Sequence, residues 1–331
     1  MKNYRIAILG ATGAVGREMI SIIEASGISA EIAPLGSARS AGTTIEFHGE
    51  PVRVREATGD SFLGADFVLG AAKNAVARLF APAIAESGAV FIDNSSAFRM
   101  ADDVPLVVPE INGADAYSHH GIIANPNCST IIALMAAAPL NRISPIESIV
   151  ASTYQAVSGA GQEGITELMR QTADIAAGRS PEGRVFPAQI ACNVIPFIGA
   201  EQPNGYTDEE MKMQNEGRRI LHSPELRVSC TCVRVPVLRS HSIALTVRTR
   251  EKILPETAAE AIDTFPGCHT AHSLSGRDYP TPIDVSGQDT VWVGRIREDL
   301  ADERGLSLWC CGDQIRRGAA LNAVKIMRLF M

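Results

Sequence analysis

Short apolar runs alternate with helix-like apolar spacing over the first hundred residues of the chain. The apolar runs cover residues 5–9, 30–35, 67–69 and 89–92, and the helical spacing covers 16–25 and 75–86. Strands that alternate with helices in this order predict a parallel sheet with right-handed crossover connections.

The pattern changes near residue 149. Longer β-rich runs at 148–154, 228–237 and 242–250 alternate in part between apolar and polar positions. Such runs predict a mainly antiparallel or mixed sheet that is open on one face. Helical spacing returns at 314–330, so the chain divides into parts with different patterns.

Composition supports this division and limits the function. The chain has 331 residues, of which 46% are hydrophobic and 20% charged, as in a soluble globular protein of two domains. Its net charge of −7 argues against nucleic acid as the main partner, because phosphate neutralisation requires a cationic surface. The uncharged stretch 116–141 is broken by histidines and prolines, so no membrane segment of roughly 20 apolar residues is predicted.

The 7 cysteines are an odd number and include no CxxC pair and no Cys/His ligand spacing. A disulfide scaffold and a metal site are therefore not expected, and the N-terminus indicates a first strand and not a signal peptide. We expect a cytoplasmic protein with reduced thiols. Six of the cysteines have no context that indicates reactivity, and we interpret them as core or surface residues.

A glycine-rich turn follows the first predicted strand and opens the first predicted helix. The candidate cofactor-binding residues there are Gly10, Thr12, Gly13, Ala14, Val15 and Gly16. Glycines at this spacing allow a tight turn, close backbone approach to a pyrophosphate and close packing of helix on strand. The N–H groups at the start of the helix then face the phosphates. This pattern predicts a dinucleotide site.

The end of the second predicted strand indicates which dinucleotide is bound. NAD sites usually carry an acidic residue there, which holds the ribose 2′-hydroxyl. This chain has Ser37, Arg39 and Ser40 instead, and hydroxyls with a guanidinium suit a 2′-phosphate. We predict NADP as the cofactor. The alternative interpretation is a solvated surface turn with one arginine.

Together these patterns predict an α/β fold. A doubly wound, Rossmann-type nucleotide-binding domain covers residues 1–126 and is completed by a C-terminal helix at 313–331. A catalytic domain with a mixed sheet covers 127–312. Cys128 lies at its start, directly before an apolar helix at 131–138. A thiolate at a helix N-terminus is stabilised by unpaired N–H groups, so Cys128 is the candidate nucleophile.

At this point the chain resembles the aspartate-semialdehyde dehydrogenases, from the first strand to the last helix. Eight segments in the right order carry the resemblance: GATGAVG at 10–16, DNSSAFR at 93–99, NPNCST at 125–130, TYQAVSGAG at 153–161, NVIP at 193–196, YTDEEMK at 206–212, RVPVLRSH at 234–241 and RGAALN at 317–322. The resemblance implies reduction of L-4-aspartyl phosphate by NADPH to aspartate semialdehyde, through a cysteine thioester. This reaction lies on the route to lysine, threonine and methionine. The resemblance also implies a homodimer formed by the second domain.

Individual roles also follow from the resemblance. The implied catalytic residues are the Cys128 nucleophile, the His241 acid/base residue and Gln155, which orients the substrate. Arg234 corresponds to the residue that binds the substrate carboxylate, and Glu209 to the one that faces its ammonium group. The implied phosphate site comprises Arg99, Lys212 and Asn127. Further implied cofactor contacts are Ser158, Gly159 and Gln314. By spacing alone, Glu209 and Lys212 would be interpreted as a surface ion pair on one helix face.

Two departures from the family pattern lie near the implied cofactor site. Lys73 and Asn74 stand where relatives usually carry Gly-Gly-Ser, and Gln314 stands where related chains often have asparagine. Two alternatives remain open at this point. One is the sister enzyme N-acetylglutamyl-phosphate reductase, although Glu209 argues against it because an acetylated nitrogen carries no charge. The other is a catalytically silent, NADP-binding paralogue.

Overall fold

The computed structural model describes residues 2–331 of the chain. In chain order the strands are β1 (Tyr4–Leu9), β2 (Ala30–Gly36), β3 (Thr44–Phe47), β4 (Glu50–Arg53), β5 (Arg55–Glu56), β6 (Phe67–Gly70), β7 (Val90–Asp93), β8 (Ile122–Ala124), β9 (Ile146–Gln155), β10 (Arg227–Arg234), β11 (His241–Thr249), β12 (Cys268–Thr270), β13 (Val291–Glu298) and β14 (Gly305–Gly312). The helices are α1 (Ala14–Ala25), α2 (Asn74–Ser87), α3 (Pro109–Asn112), α4 (Cys128–Ile143), α5 (Gln162–Ala176), α6 (Asp208–Ile220), α7 (Pro255–Thr264), α8 (His272–Ser275), α9 (Pro282–Val285) and α10 (Leu321–Arg328). Short 3₁₀ turns cover Gly59–Phe62, Gly113–Ser118 and Val157–Ala160, and a π-helical turn covers Arg316–Ala320.

The chain folds into two compact units. The first comprises the residues up to Asn127 together with Ala319–Met331, and the second comprises Cys128–Gly318. The first unit contains a parallel sheet in the order β5-β2-β1-β6-β7-β8. Ile8 of β1 packs with apolar side chains of α1 and α10, whereas Leu9 packs with α2 on the opposite face. Helices therefore cover both faces, which confirms the doubly wound α/β class.

The second unit contains a mixed sheet in the order β10-β9-β11-β14-β13-β12. The β9–β10 and β12–β13 pairs are parallel, and the other neighbouring pairs are antiparallel. Helix α4 lies on one face of this sheet and is buried from Ser129 to Leu140. On the sheet itself, Val150 and Tyr154 of β9 are 56% and 38% exposed. The mixed sheet predicted from the alternating runs is confirmed.

Several boundaries differ from the sequence pattern for physical reasons. Strand β10 ends at Arg234 and not at residue 237, because Pro236 has no N–H to continue the ladder. Helical spacing at 314–330 predicts one helix, but the segment starts with a wide π-helical turn in which Gly318 N–H donates to the Asp313 carbonyl at 2.9 Å. The pattern also misses the β3–β4 ribbon, whose strands have only four residues each.

Candidate active site

The glycine-rich turn of the first unit packs more closely against the backbone than a side chain at Gly10 or Gly16 would allow. Gly10 has φ +91°, and a Cβ there would lie 2.6 Å from the Ala71 carbonyl oxygen. A Cβ on Gly16 would overlap the Gly10 carbonyl oxygen. Helix α1 starts at Ala14 with no acidic residue in its first turn, so its N–H groups meet no competing anion. These residues fit the diphosphate of a dinucleotide.

The residues predicted to favour NADP over NAD lie in a tight turn directly after β2. Ser40 N–H donates to the Ser37 carbonyl at 2.9 Å, and this bond closes the turn. Ser37 and Arg39 are exposed, and Ser40 is half-buried. The structure therefore keeps two hydroxyls and one guanidinium together at the end of β2, with no carboxylate among residues 36–43.

Arg99 also belongs to the first unit, and two backbone carbonyls hold its side chain in place. Its side chain is 7% exposed, and it donates from Nε to the Asn125 carbonyl at 2.9 Å and from Nη2 to the Asn94 carbonyl at 2.7 Å. The Asn125 Nδ2 atom in turn donates to Asn94 Oδ1 at 2.8 Å. Asn94 and Asn125 thus fix the guanidinium through their backbone carbonyls, although neither was a predicted site residue.

Lys73 and Asn74 differ in their surroundings. Lys73 is exposed directly before α2. Asn74 contacts Ser96 twice, through Nδ2 to Oγ at 2.8 Å and from the Ser96 N–H to Oδ1 at 3.0 Å. Asn74 therefore fixes the loop that leads to Arg99. Asn127 is buried and ends the first unit.

Three neighbouring strands of the second unit bring candidate residues to one end of the sheet. Gln155 is the last residue of β9, and Arg234 is its register partner at the end of β10. His241 begins β11, which runs antiparallel to β9. Both Gln155 and Arg234 are buried, and His241 is 0% exposed. Sheet topology therefore places side chains that are far apart in sequence at one edge.

Arg234 and His241 share one peptide unit. Arg234 Nη1 donates to the Ala156 carbonyl at 2.7 Å, and the Ala156 N–H donates to His241 Nδ1 at 3.1 Å. A Cβ on Gly159 would lie 2.7 Å from Arg234 Nη1 and 3.4 Å from His241 Cε1. A side chain at Gly159 would therefore displace the Arg234 guanidinium, whereas its contact with His241 would be an ordinary one. Complete burial, followed by the nearby Arg234 charge, lowers the pKa of His241 to about 3.

Helix α6 adds opposite charges at the same end of the sheet. Its Thr207 cap and Glu210 form a capping box, and Glu210 Oε1 accepts the Cys232 N–H at 2.9 Å, which ties the helix to β10. Glu209 accepts from Gln155 Nε2 at 3.2 Å and from Lys212 Nζ at 2.8 Å. The Glu209–Lys212 ion pair expected from the helical spacing is present, and the hydrogen bond from Gln155 connects Glu209 to the candidate site.

Cys128 is half-buried at the first residue of α4. Burial lowers the pKa of Arg234, and the negative charges of Glu209 and Cys128 raise it. The thiol therefore lies close enough to the guanidinium for the two to interact electrostatically. A Cβ on Gly318 would lie 2.9 Å from Cys128 Cβ. The π-helical turn therefore has no side chain at the position that contacts the candidate nucleophile. Such turns occur frequently at functional sites.

The other cysteines have surroundings that disfavour reaction. Burial raises the pKa of the Cys268 and Cys311 thiols to about 12, and it also raises that of Cys310. Cys230 and Cys232 are buried on one face of β10, as their spacing predicts, and their Sγ atoms lie 3.7 Å apart. Cys192 is exposed and is a useful comparison for Cys128.

Gln314 has protein partners at both ends of its amide. Its Oε1 accepts the Ser240 N–H at 2.7 Å, and its Nε2 donates to Ser158 Oγ. Ser240 has φ +75°, a strained value for a residue with a side chain, and it directly precedes His241. Gln314 therefore links the turn at Val157–Ala160 to the segment that positions the histidine.

The predicted site residues thus form two groups, one in each unit. The first unit holds the glycine-rich turn, the β2 turn, Arg99 and Asn127. The second unit brings together Cys128, Gln155, Ser158, Gly159, Glu209, Lys212, Arg234, His241 and Gln314.

Comparison with known proteins identifies the family. Residues 5–119 match the semialdehyde dehydrogenase NAD binding domain, and residues 137–317 match the semialdehyde dehydrogenase dimerisation domain. An aspartate-semialdehyde dehydrogenase of Synechocystis is 46% identical over 99% of this chain and 97% of its own length. An aspartate-semialdehyde dehydrogenase of Bacillus subtilis is 42% identical over 98% of this chain and 96% of its own length. A crystal structure of aspartate semialdehyde dehydrogenase II from Vibrio cholerae, complexed with ASA, is 41% identical, has a TM-score of 0.95 and covers 100% of this chain and 98% of that one.

The chain belongs to the aspartate-semialdehyde dehydrogenase family. The match to a NAD binding domain supports a nicotinamide dinucleotide as cofactor, and the match to a dimerisation domain supports an oligomer. The named relatives favour this family over the sister acyl-phosphate reductase. None of the helices within residues 2–331 is long and apolar enough to cross a membrane. The same residues contain no group of three or more His, Cys, Asp or Glu side chains that could hold a metal ion.

Sequence reasoning missed the part that the backbone plays in this aspartate-semialdehyde dehydrogenase fold. Ala156 serves the site through its N–H and carbonyl, which no residue-type pattern can indicate. Thr153 was part of a quoted motif, and its Oγ1 donates to Gln155 Oε1 at 3.0 Å. This bond could have been inferred, because residues two apart on a strand share a face.

Proposed function

We propose that this protein catalyses the reversible, NADPH-dependent reductive dephosphorylation of L-4-aspartyl phosphate to L-aspartate 4-semialdehyde. In the cell this step serves lysine, threonine and methionine biosynthesis. The observation that supports it best is the grouping of a half-exposed thiol, Cys128, with a buried arginine, a buried neutral histidine and a paired glutamate in one unit. Family membership supports the same substrate.

The charges of the site complement those of this substrate. Arg234 presents a planar guanidinium suited to the α-carboxylate, and Glu209 offers a carboxylate to the ammonium group. Lys212, paired with Glu209 at 2.8 Å in the same unit, supplies positive charge for the phosphate. A ligand with two anionic groups and one cation therefore has a partner for each.

The chemistry centres on Cys128. Its thiolate attacks the acyl carbon, a C–S bond forms, and the C–O bond to phosphate breaks, which leaves a thioester on the enzyme. A bound nicotinamide dinucleotide supplies the hydride that reduces this thioester. The resulting oxyanion collapses, the C–S bond breaks, and the sulfur leaves as thiolate with the bonding pair. Gln155 is proposed to orient the substrate, and His241 to serve as the acid/base residue.

The cofactor is proposed to lie on the glycine-rich turn and the β2 turn. Gly10, Thr12 and Gly13 precede α1, and Ala14, Val15 and Gly16 lie in its first turn, whose N–H groups are proposed to face the diphosphate. Ser158 and Gly159 belong to the 3₁₀ turn of the second unit, and Gln314 fixes this turn through Ser158. We propose that Gln314 acts on cofactor binding through that serine.

The direct test is phosphate-dependent reduction of NADP by aspartate semialdehyde, followed at the nicotinamide absorbance with purified protein. Activity that requires both phosphate and the semialdehyde supports the proposal. Dinucleotide binding without such activity would contradict it, and N-acetylglutamate semialdehyde would then be the substrate to try.

Preference for NADP is expected to depend on Arg39. Replacing Arg39 with alanine removes the charged donor from the β2 turn, so kcat/KM with NADP should fall by about 10- to 100-fold while kcat/KM with NAD stays nearly constant. Steady-state kinetics with both cofactors measures this. The control is Arg328→Ala, which removes the same charge from an exposed position of α10. It should change kcat/KM with neither cofactor. Equal losses with both cofactors in R39A would contradict the 2′-phosphate role.

We propose a homodimer that uses the open face of the β9–β11–β14 sheet. Val150 and Tyr154 are exposed there, and the Tyr154 ring lies 5.3 Å from that of Trp309. Because a charge buried in an apolar contact is unfavourable, Val150→Asp should weaken the dimer at least about tenfold. Analytical ultracentrifugation measures this dissociation. Leu79→Asp, at a 70% exposed position of α2, should leave the dimer intact, and a V150D protein that remains equally dimeric would exclude this face.

A further inference from the structure

A cavity of the second unit lies against the Arg234 guanidinium. Its volume is about 570 Å³, and Arg234 lines it together with residues 184–187 and 197–199. The Phe186 ring lies over the guanidinium there, and the arginine Cζ is 5.8 Å from the ring centroid. This distance allows a cation–π interaction. The arginine that is proposed to bind the substrate carboxylate thus meets an aromatic face at the wall of a space large enough for a small ligand.

The other contacts of Arg234 leave the plane of its guanidinium undetermined. Its backbone is bridged to Ile195, with the Arg234 N–H donating at 2.8 Å and the Ile195 N–H donating back at 2.9 Å. Nη1 donates to the Ala156 carbonyl at 2.7 Å. A single hydrogen bond fixes one edge of a guanidinium but allows the plane to tilt about that bond. Bidentate pairing with a carboxylate requires a fixed plane, so the contact on the face matters.

A buried carboxylate of α5 holds the segment that carries the Phe186 ring. Glu167 is 3% exposed. Its Oε2 accepts the N–H of Arg184 at 2.9 Å and that of Val185 at 2.6 Å, and its Oε1 accepts the N–H of Phe186 at 3.4 Å. Hydrogen bonds to an ionised carboxylate are stronger than those between neutral groups. Three successive backbone groups are therefore fixed on one side chain.

Gln171 lies one turn further along α5 and extends this support. It is 0% exposed, and its Nε2 donates to Glu167 Oε1 at 3.2 Å. Its Oε1 accepts the N–H groups of Ile190 at 2.9 Å and Ala191 at 3.1 Å. Ile190 and Ala191 belong to the apolar cluster against which Phe186 packs. Two buried polar side chains of one helix thus hold both ends of the segment 184–191, and a paired network of this kind is rigid.

We propose that Phe186 is a positioning residue for substrate binding, whose ring fixes the plane of the Arg234 guanidinium while Glu167 holds the ring in place. This inference rests on the proposed function for the carboxylate that Arg234 binds. The ring also keeps water from one face of the guanidinium, and a lower local dielectric strengthens its pairing with a carboxylate. Phe186 acts through Arg234 and takes no part in the chemistry at Cys128, so it should affect KM and not kcat.

Replacing Phe186 with leucine keeps an apolar side chain but removes the ring face. KM for aspartate semialdehyde should rise about three- to 30-fold, the range expected for loss of one cation–π contact. The values of kcat and of KM for phosphate and NADP should stay nearly constant in steady-state kinetics, and the thermal unfolding midpoint checks the fold. The control is Phe330→Leu, which removes a half-buried ring that packs on Tyr117 of the first unit and should change no KM.

Fluorinated phenylalanines in place of Phe186 separate the cation–π contact from apolar packing. Mono-, di- and trifluorinated rings differ little in size, but each fluorine withdraws electron density from the ring face. KM for the semialdehyde should therefore rise stepwise with the number of fluorines, while kcat stays nearly constant. A KM that is the same across this series would overturn the inference, even if F186L itself binds the semialdehyde more weakly.

Glu167→Gln tests the support from α5. The amide has the size of the carboxylate but turns an NH₂ group towards backbone N–H donors, so residues 184–186 lose an acceptor. KM for the semialdehyde should rise less than in F186L, and the exposed Glu163→Gln of α5 should leave it unchanged. Because Glu167 acts through the ring, E167Q should add no further rise in the F186L background. An undiminished effect there would contradict this route.

Chemical modification tests the contact without any substrate. Phenylglyoxal reacts with arginine, and peptide mass spectrometry follows its reaction at Arg234, which is 7% exposed. The reaction should be faster in F186L than in the wild type and unchanged in F330L. Equal rates at Arg234 in F186L and the wild type would contradict the inference. Failure of the proposed function would show separately, as missing semialdehyde activity in the wild type.

Discussion

Replacing Cys128 with serine is expected to lower kcat/KM for aspartate semialdehyde by at least about 10³-fold. The serine hydroxyl is not ionised near neutral pH and is a far weaker nucleophile than a thiolate, so the thioester cannot form at a useful rate. The fold should survive, because the side chains are nearly isosteric and Cys128 is only half-buried. Phosphate-dependent NADP reduction measures the loss, and fluorescence titration with NADP checks that the dinucleotide still binds.

The matched control is Cys192→Ser, which changes an exposed cysteine and should retain full activity. A second readout follows the covalent intermediate directly. Wild-type protein incubated with semialdehyde and NADP in the absence of phosphate should gain the mass of the acyl group on the peptide that contains Cys128. Substantial activity in C128S, or an acyl group on another residue, would exclude Cys128 as the nucleophile.

Local sequence patterns predict the framework of this site better than its details. Cys128 could be placed at a helix start because an apolar helical run follows it directly, and α4 begins at that residue. The Glu209–Lys212 pair follows from spacing on one helix face. In both cases the determining interactions are near in sequence, so the pattern of residues contains them.

The arrangement around His241 could not be predicted in this way. Its Nδ1 contact joins residues 85 apart in sequence, and the donor is a backbone N–H. The Gln314 contact with Ser158 spans 156 residues, and only sheet topology brings the two segments together. The roles proposed for Arg234 and His241 come from the resemblance to a family. The Ala156 peptide that connects them is visible only in the structure.

Replacing Arg234 with lysine is expected to lower kcat/KM for the semialdehyde by about 10²- to 10³-fold. The guanidinium is 7% exposed and donates from Nη1 to the Ala156 carbonyl at 2.7 Å, and we propose that it also pairs with the substrate carboxylate. A lysine ammonium is a point charge on a flexible chain and cannot satisfy both acceptors in one plane. KM should therefore rise most. A smaller fall in kcat is expected because the freed Ala156 peptide also holds His241.

Steady-state kinetics separates the two effects, and Arg227→Lys provides the matched control. Arg227 is exposed at the other end of β10, so the same substitution there should change neither KM nor kcat. The thermal unfolding midpoint of R234K shows whether the buried change has damaged the fold as a whole. If R234K folds normally and its KM for the semialdehyde is unchanged, Arg234 does not bind the substrate carboxylate, and the assignment of charges in the site must be revised.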